Sequence, residues 1–218
     1  MEAAEFIRLA TQGDVHVACA EVQRDPELSR ARDAQGVSVL CLAVYRRRTE
    51  LVAALTAARK DLDIFEAACV GDLARVVRLV SDDPGRVNAL SPDGFSPVGF
   101  SAFFGHSNLL RELLRRGGAV NAPSRNAMRV CPLHSAAAHS DQTKAVELAR
   151  ILLEAGADPN AQQQGGFVAL HEAALNGNIP LIELLLEYGA EPSIRDEKGA
   201  TPADLARSKG QADALRWL

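Results

Sequence analysis

Several features that define common classes of protein are missing from this chain of 218 residues. Its four cysteines (Cys19, Cys41, Cys69 and Cys131) form no CxxC pair, so neither a zinc ribbon nor a disulfide scaffold is indicated. The N-terminus has no basic start followed by an apolar run, which argues against a signal peptide. No stretch approaches about 18 consecutive apolar residues, which argues against a membrane span. These absences predict a cytoplasmic protein with reduced thiols.

Strong positive charge and known catalytic motifs are missing too. With 24 basic and 28 acidic residues, the net charge of -4 argues against sequence-independent binding to nucleic acid. Neither a glycine-rich phosphate loop nor GxSxG is present. Cys131 and His134 are spaced like a nucleophile and base, but no third group orients them. The other histidines, such as His106 and His139, have no HxxxH or CxxC context. We expect no enzyme activity, no metal and no cofactor.

Aromatic residues make up only 5% of the chain, yet they are concentrated in one place. Four of the seven phenylalanines fall within "SPDGFSPVGFSAFFGH", Ser91 to His106. Such a cluster is either the core of a small domain or the apolar centre of a binding surface. The architecture around the stretch decides between these two interpretations.

Fixed-period similarity runs along the whole sequence. The segments "SPVGFSAFFG", "CPLHSAAAHS", "VALHEAALNG" and "TPADLARSKG" begin at Ser96, Cys131, Val168 and Thr201. Between them lie apolar segments with helical spacing, such as "LIELLLEYGAEP". Gly117, Gly156 and Gly189 follow these segments and are suited to end a helix in the left-handed conformation. Each unit is therefore predicted to be a short helix, a tight turn, a longer helix and an extended loop.

The pattern resembles the ankyrin repeat family, most closely its bacterial members, over essentially the whole chain. "ADPNAQQQGGFVALHEAALNGNIPLIELLLEYGAEP" carries nearly every element of the family's repeat. The resemblance implies an all-α solenoid of about seven stacked helix-turn-helix units with finger loops, and a structural role for His134 and His171. We expect a single domain over residues 1–218. Its approximate units are 1–34, 35–61, 62–92, 93–124, 125–162, 163–196 and 197–218.

Two regions depart from the regular repeat. Residues 13–36 align without gaps with residues 71–94, both carrying Gly-Asp and then Asp-Pro. The second unit between them is short and passes into "LDIFEAA" with no "GADxNA" loop, so we expect a missing or stunted finger loop. The fifth unit has a finger loop two residues longer than usual and extra residues around "HSDQTKA" (139–145). Both insertions are expected in loops, either as neutral drift or as recognition elements.

The resemblance implies that a partner binds a concave face made by the first helices and finger loops. The family's contact positions transfer to an aromatic and Arg-rich set, which is the composition of interface centres. Phe100 is expected in the core, and Phe95 and Phe167 either brace the fingers or touch a ligand. The predicted partner-binding residues are Tyr45, Arg46, Phe95, Phe103, Phe104, Met128, Arg129, His139, Phe167, Leu175 and Asn176.

Three functions remain open on the sequence alone. The first is a non-enzymatic protein–protein interaction module that binds a protein or peptide, the class that the family resemblance implies. The second is an anion or nucleic-acid binder that uses Arg46–Arg48 and Arg129. A regulatory or inhibitory accessory factor of an enzyme is a form of the first. The third is an enzyme of unrecognised type, which a deep pocket containing Cys131 or His139 would support. In each case the terminal units are expected to act as caps, with Leu205, Leu215 and Trp217 sealing the core.

Overall fold

A computed structural model describes residues 1–218, and the chain folds as paired α-helices stacked along one axis. Twelve of the thirteen α-helices form six pairs, and the thirteenth starts a seventh unit. The first helices are α1 (Ala3–Gln12), α3 (Val39–Tyr45), α5 (Ile64–Val70), α7 (Pro97–Phe103), α9 (Pro132–Ala137), α11 (Ala169–Leu175) and α13 (Pro202–Ser208). The second helices are α2 (Val15–Arg24), α4 (Thr49–Ala58), α6 (Leu73–Asp82), α8 (Ser107–Arg115), α10 (Gln142–Glu154) and α12 (Ile179–Glu187). The predicted all-α solenoid of about seven units, with one shortened unit, is confirmed.

Capping residues and glycines set the helix ends. The side chain of Ser96 accepts a hydrogen bond from the backbone N–H of Gly99 at 3.1 Å, and Thr201 caps α13 in the same way. Such caps satisfy donors that an α-helix leaves unpaired in its first turn. After α8, α10 and α12 the backbone turns left-handed, with φ near +85° to +88°, at the predicted glycines Gly117, Gly156 and Gly189.

One continuous hydrophobic core runs through all the units. It contains 50 buried residues and includes side chains from the first helix to the last. Pairs of small residues lie where adjacent helices approach each other, and Ala67, Ala68, Ala173 and Ala174 are fully buried. Because each helix pair is too small to bury its own apolar face, stability comes from stacking neighbours.

The similarity between residues 13–36 and 71–94 is also structural. A short 3₁₀ helix follows α2 at Pro26–Arg30, and another follows α6 at Pro84–Asn88. In each case the side chain of the aspartate before the proline, Asp25 or Asp83, accepts a hydrogen bond from the backbone N–H of the residue after the proline. Proline is suited to this first position because its φ is preset and it has no N–H to satisfy.

The second unit lacks a finger loop, as predicted. Only residues 59–63 connect α4 to α5, whereas residues 83–96 connect α6 to α7. A network of charged side chains occupies this junction instead. The carboxylate of Glu66, only 1% exposed, pairs with the guanidinium of Arg59 and accepts a hydrogen bond from the backbone N–H of Asp63 at 3.0 Å.

The fifth unit confirms one predicted insertion and corrects the other. Its finger loop spans residues 116–131, two residues longer than the loop at 155–168. The extra residues around 139–145, however, lie mostly outside the turn between the two helices, where they were expected. Asp141 caps a helix that begins at Gln142, so most of the insertion forms additional helix at the start of α10. Asp is a strong N-cap residue, which is why the helix starts this early.

The last unit covers one side of α11, and its tryptophan, Trp217, takes no part in this contact. α13 packs against α11, and Ala206 is fully buried, while Leu205 and Leu215 are half-buried. Trp217 is 47% exposed, so the expectation that it seals the core is wrong. The 3₁₀ turn at Ala214–Arg216 buries Ala214 instead and leaves the indole ring outside.

Candidate functional site

The four clustered phenylalanines have different environments. Phe100 is 1% exposed and forms the centre of the cluster, with the ring of Phe95 at 5.7 Å and that of Phe104 stacked at 6.0 Å between centroids. Phe95 and Phe104 are half-buried and pack against the core. Phe103 is 47% exposed and meets the ring of Phe104 edge-on at 5.0 Å. Phe103 is therefore the ring that the fold leaves available to a partner.

Tyr45 reaches this cluster from two units away. Its ring lies 5.5 Å from that of Phe104 and 6.3 Å from that of Phe103, although α5 of the third unit lies between α3 and α7 in sequence order. The sequence contains no direct signal of this contact, because it depends on how three units stack.

A hydrogen bond fixes the position of the Tyr45 ring. Its hydroxyl donates to the Oδ2 atom of Asp93 at 2.6 Å, and the Ser91 hydroxyl donates to Oδ1 of the same carboxylate at 2.5 Å. Burial and the Asp93 carboxylate raise the pKa of Tyr45 far above its usual range. The phenol therefore stays neutral and serves as a donor at physiological pH.

A groove of about 360 Å³ lies beside these rings. Its walls come from the second, fourth and fifth units, and they include Tyr45, Phe103, Phe104 and His139. His139 is half-buried, and its Nδ1 atom accepts a hydrogen bond from the backbone N–H of Asp141 at 3.1 Å. The volume is at the lower end of those that bind small ligands and fits one or two side chains of a partner. We call this surface the aromatic groove.

The remaining predicted contact residues are spread along the first-helix and finger side of the stack. Met128 is 53% exposed on the long fifth finger, and its carbonyl accepts a hydrogen bond from the backbone N–H of Gln164 on the next finger at 3.0 Å. Leu175 is half-buried and Asn176 is exposed at the end of α11. Their role in binding stays a prediction, since the structure shows their positions and not a partner.

Phe167 takes part in contacts that hold neighbouring units together. Its ring lies 5.0 Å from the imidazole of His171, and its carbonyl accepts a hydrogen bond from Nε2 of His134 at 3.0 Å. Of the two interpretations made from the sequence, these contacts favour the brace between fingers.

Two exposed arginines adopt an unusual backbone conformation. Arg47 has φ of 54° and Arg129 has φ of 49°, and they are the only non-glycine residues with positive φ. At the turn that Arg47 occupies, the fourth and sixth units have glycines, Gly105 and Gly177. A side chain in this region strains the backbone, and such strain is found where the side chain has a use.

Three histidines link neighbouring units, two of them as predicted. Nε2 of His134 donates to the Phe167 carbonyl at 3.0 Å, and Nε2 of His171 donates to the Ala200 carbonyl at 3.2 Å. His106, which sequence reasoning assigned no such role, donates to the Cys69 carbonyl at 2.9 Å. Burial lowers the pKa of both His134 and His171, because it disfavours the charged ring.

The two lowered pKa values predict a loss of stability in mild acid. Below the ordinary histidine pKa of about 6.5 the unfolded chain takes up protons that buried His134 and His171 do not. The free energy of unfolding should therefore fall as pH decreases from about 6.5 towards 5, by up to about 1.4 kcal/mol per pH unit for each histidine. Urea unfolding at several pH values measures this slope. A double variant, His134→Gln with His171→Gln, should flatten it, and an unchanged slope in that variant would contradict the assignment.

The Cys131–His134 pair has the electrostatics of structural residues. Burial raises the pKa of the Cys131 thiol and lowers that of His134, which is opposite to what a thiolate–imidazolium pair requires. Cys131 is the residue before α9, in the position where Thr201 caps α13, but its side chain makes no capping hydrogen bond.

No group of three or more His, Cys, Asp or Glu side chains is placed to hold a metal ion. None of the helices is sufficiently long and apolar to span a membrane.

Comparison with known families matches most of the chain. A family model described as "Ankyrin repeats (3 copies)" matches residues 64–163, and one described as "Ankyrin repeats (many copies)" matches residues 152–206. Together the two matches extend from the third unit into α13. Residues before 64, which include the short second unit, lie outside both matches.

Curated relatives share the repeat at moderate identity. Tyrosine-protein kinase Shark of Drosophila melanogaster is 33% identical over 60% of this chain and 13% of the kinase. Ankyrin repeat domain-containing protein 37 of Homo sapiens is 35% identical over 50% of this chain and 66% of that protein. Cyclin-dependent kinase inhibitor 2A of Monodelphis domestica is 34% identical over 52% of this chain and 63% of that protein. The chain thus covers less than two thirds of each of these relatives.

Proposed function

Since the chain belongs to the ankyrin repeat family, whose members are generally protein–protein interaction modules, we propose that it binds a protein partner through the concave face made by its first helices and fingers. The aromatic groove is the centre of this surface. The mechanism is preorganised shape complementarity: the rings are held by the stack before the partner arrives, so little side-chain freedom is lost on binding.

The exposure of Phe103 is the observation that carries the proposal. Nearly half of the surface of Phe103 faces solvent, while the two rings that contact it, Tyr45 and Phe104, are half-buried, and Tyr45 is also hydrogen-bonded. An exposed phenylalanine on a rigid aromatic base has the features of an interface hot spot, where a few aromatic and Arg side chains supply most of the affinity. The half-buried rings of Tyr45 and Phe104 extend the apolar area on either side.

Two other functions are weaker candidates. An anion or nucleic-acid site at Arg46–Arg48 would need a broad basic face, and Nη1 of Arg48 is already bonded to the Gly13 carbonyl at 2.8 Å. A steep fall in affinity with salt would identify that function. A role as accessory factor of an enzyme is consistent with the proposal, and one relative is named as a kinase inhibitor. A cytoplasmic location stays a prediction from the sequence, to be checked by cell fractionation.

The test is a single truncation at the centre of the surface. Phe103→Ala should weaken binding to a captured partner by about 30-fold, the effect of a hot-spot residue, and leave helicity and the melting temperature nearly unchanged. The variant and wild type are compared by affinity capture from the native cell, followed by calorimetry with the purified partner. Phe103 is replaced alone because Phe104 packs against the core.

Tyr188→Ala is the matched control. Tyr188 is an exposed aromatic residue at the end of α12, on the second-helix side of the stack. Its truncation should leave the captured partner bound as tightly as wild type. If Phe103→Ala unfolds the protein, or captures the same partner with the same affinity, the aromatic groove is not the binding centre.

A further inference from the structure

The shape of the aromatic groove restricts what can enter it. Most of its apolar surface comes from Val44, Tyr45, Phe103 and Phe104, and Ala138 with two serines of the fifth unit also lines it. A volume of about 360 Å³ admits a side chain or two from an extended segment rather than a folded surface. An apolar side chain seated there would cover the exposed edge of Phe103.

The only formal charge among the residues that line the groove is the guanidinium of Arg47. None of its nine lining residues is acidic, while Arg47 and His139 are among them. Two carboxylates lie next to the lining residues, and both are engaged within the chain: Asp93 by the hydroxyls of Tyr45 and Ser91, and Asp141 by the backbone N–H of Lys144 at the start of α10. This contrasts with the whole chain, whose net charge is -4.

The arginines beside the groove are free to bind another charge. Arg46 and Arg47 are exposed, and neither takes part in an ion pair within the chain. Nine other arginines do form such pairs: Arg24, Arg30, Arg32, Arg59, Arg86, Arg115, Arg116, Arg207 and Arg216. Unpaired guanidinium groups at the rim favour a partner that brings carboxylates, because complementary charge speeds association and fixes register.

Arg47 has a backbone conformation that residues other than glycine rarely adopt. Its φ of 54° lies in the region that glycine adopts freely, and Gly105 and Gly177 take the same turn with φ of 83° and 61°. Glycine would relieve the strain but remove the positive charge from the groove. Because strained positions cluster at functional sites, this conformation supports a functional use of the Arg47 side chain.

The basic edge continues beyond the groove towards the first unit. Arg46–Arg48 line a second, open depression of about 570 Å³ together with Gly13 and Glu50. Glu50 is the one acidic residue there, and its carboxylate lies 3.4 Å from Nδ1 of His16. A chain seated in the groove can thus extend across the second unit over Arg46 and Arg47, while Arg48 is bonded to the Gly13 carbonyl.

From these observations we propose that the aromatic groove binds an extended acidic segment of a protein partner, with an apolar side chain against Phe103 and carboxylates on Arg46 and Arg47. This inference rests on the proposed function and names the chemistry of the partner. In this arrangement the apolar residue of the partner lies at the fourth unit, and its acidic residues lie over the second unit.

The predicted chemistry of the partner is tested by selecting random phage-displayed peptides that bind the full chain. The expected result is enrichment of peptides that combine Asp or Glu with a Leu, Ile, Met or aromatic residue. Enrichment of basic or uncharged peptides would overturn the proposal, and so would the absence of any enriched peptide. Tight binding of a labelled RNA hairpin in place of peptides would likewise overturn it.

Variants of the chain then test where the peptide binds and how much Phe103 and Arg47 contribute to its affinity. In fluorescence anisotropy with an enriched, labelled peptide, Phe103→Ala should reduce affinity by about 30-fold. Arg47→Gly should reduce it by about threefold, the scale of an exposed ion pair, while raising the melting temperature because the strain is relieved. Arg47→Lys should retain most of the affinity. Arg78→Ala, which removes an exposed charge from α6, is the control and should change nothing.

The two proposals fail in different ways. If acidic peptides bind but Phe103→Ala has no effect while Arg46→Ala does, the segment lies in the neighbouring depression and the assignment to the groove is wrong. If no peptide binds but Phe103→Ala still abolishes capture of a folded protein, the further inference fails and the proposed function stands. If Phe103→Ala changes neither the affinity for the peptide nor the capture of a partner protein, both proposals fail.

Discussion

Replacing Glu66 with Ala is expected to lower the free energy of unfolding by about 3–5 kcal/mol. The Glu66 carboxylate is 1% exposed and is the partner of Arg59, whose side chain is 9% exposed. Removing the carboxylate leaves the buried guanidinium with only the exposed Asp61 carboxylate, 3.7 Å away, as counter-charge, and the Nε atom of Arg59 already has no hydrogen-bond partner. The backbone N–H of Asp63 also loses its acceptor, which opens the first turn of α5. Chemical denaturation followed by circular dichroism measures the loss.

Two further variants separate the buried pair from the charges around it. Arg59→Met combined with Glu66→Leu removes both charges, and most of the stability should return, since apolar residues of similar size often replace a buried pair at little cost. Arg30→Ala removes an exposed pair with Asp61 at the same junction and should have a far smaller effect, because solvent screens that pair. If Glu66→Ala and Arg30→Ala destabilised the protein equally, the junction would not depend on the buried pair.

Deleting residues 201–218 is expected to turn the protein into an aggregating species. The deletion removes α13 from α11, whose Ala169, Leu170 and Ala173 are 0–1% exposed in the complete stack. A fully buried large apolar side chain forfeits about 1.5–3 kcal/mol when it becomes exposed, and the uncovered face adds an apolar patch that favours self-association. Size-exclusion chromatography with light scattering should show oligomers and larger aggregates.

Trp217→Ala is the control for this deletion. Because the indole is 47% exposed, its truncation should leave the protein monomeric and change the melting temperature little. A truncated chain that stayed monomeric and fully helical would contradict the role of α13 as a cap. Aggregation of Trp217→Ala would instead assign that role to the tryptophan, against its exposure in the structure.

Much of the fold was predictable because it depends on local residue preferences. The helix stops at Gly117, Gly156 and Gly189 follow from the freedom of glycine at positive φ, and the missing finger after α4 follows from the length of the connection. The extra residues around 139–145 were assigned wrongly to a turn. Asp141 provided the signal, since an Asp before Gln-Thr-Lys is a helix start.

The candidate site was predictable in part. Periodicity placed Phe103 and Phe104 at the end of a first helix, and the structure decides that one ring is exposed and the other packs against the core. The buried Glu66–Arg59 pair was missed, although the charged run "RKDLD" in the shortened connection is a signal of it. The strain at Arg47 was also missed, although its alignment with Gly105 and Gly177 marks the turn.

By itself, the sequence determined the repeat, the number of units and the side of the stack that carries the aromatic residues. These follow from periodicity, capping and turn chemistry, which act within about 35 residues. Only the tertiary structure decided that Tyr45 reaches across the third unit to Phe104 and bonds Asp93, and that Phe103 is left outside. Those outcomes depend on how closely three units approach one another, and that distance is set by packing between side chains far apart in sequence.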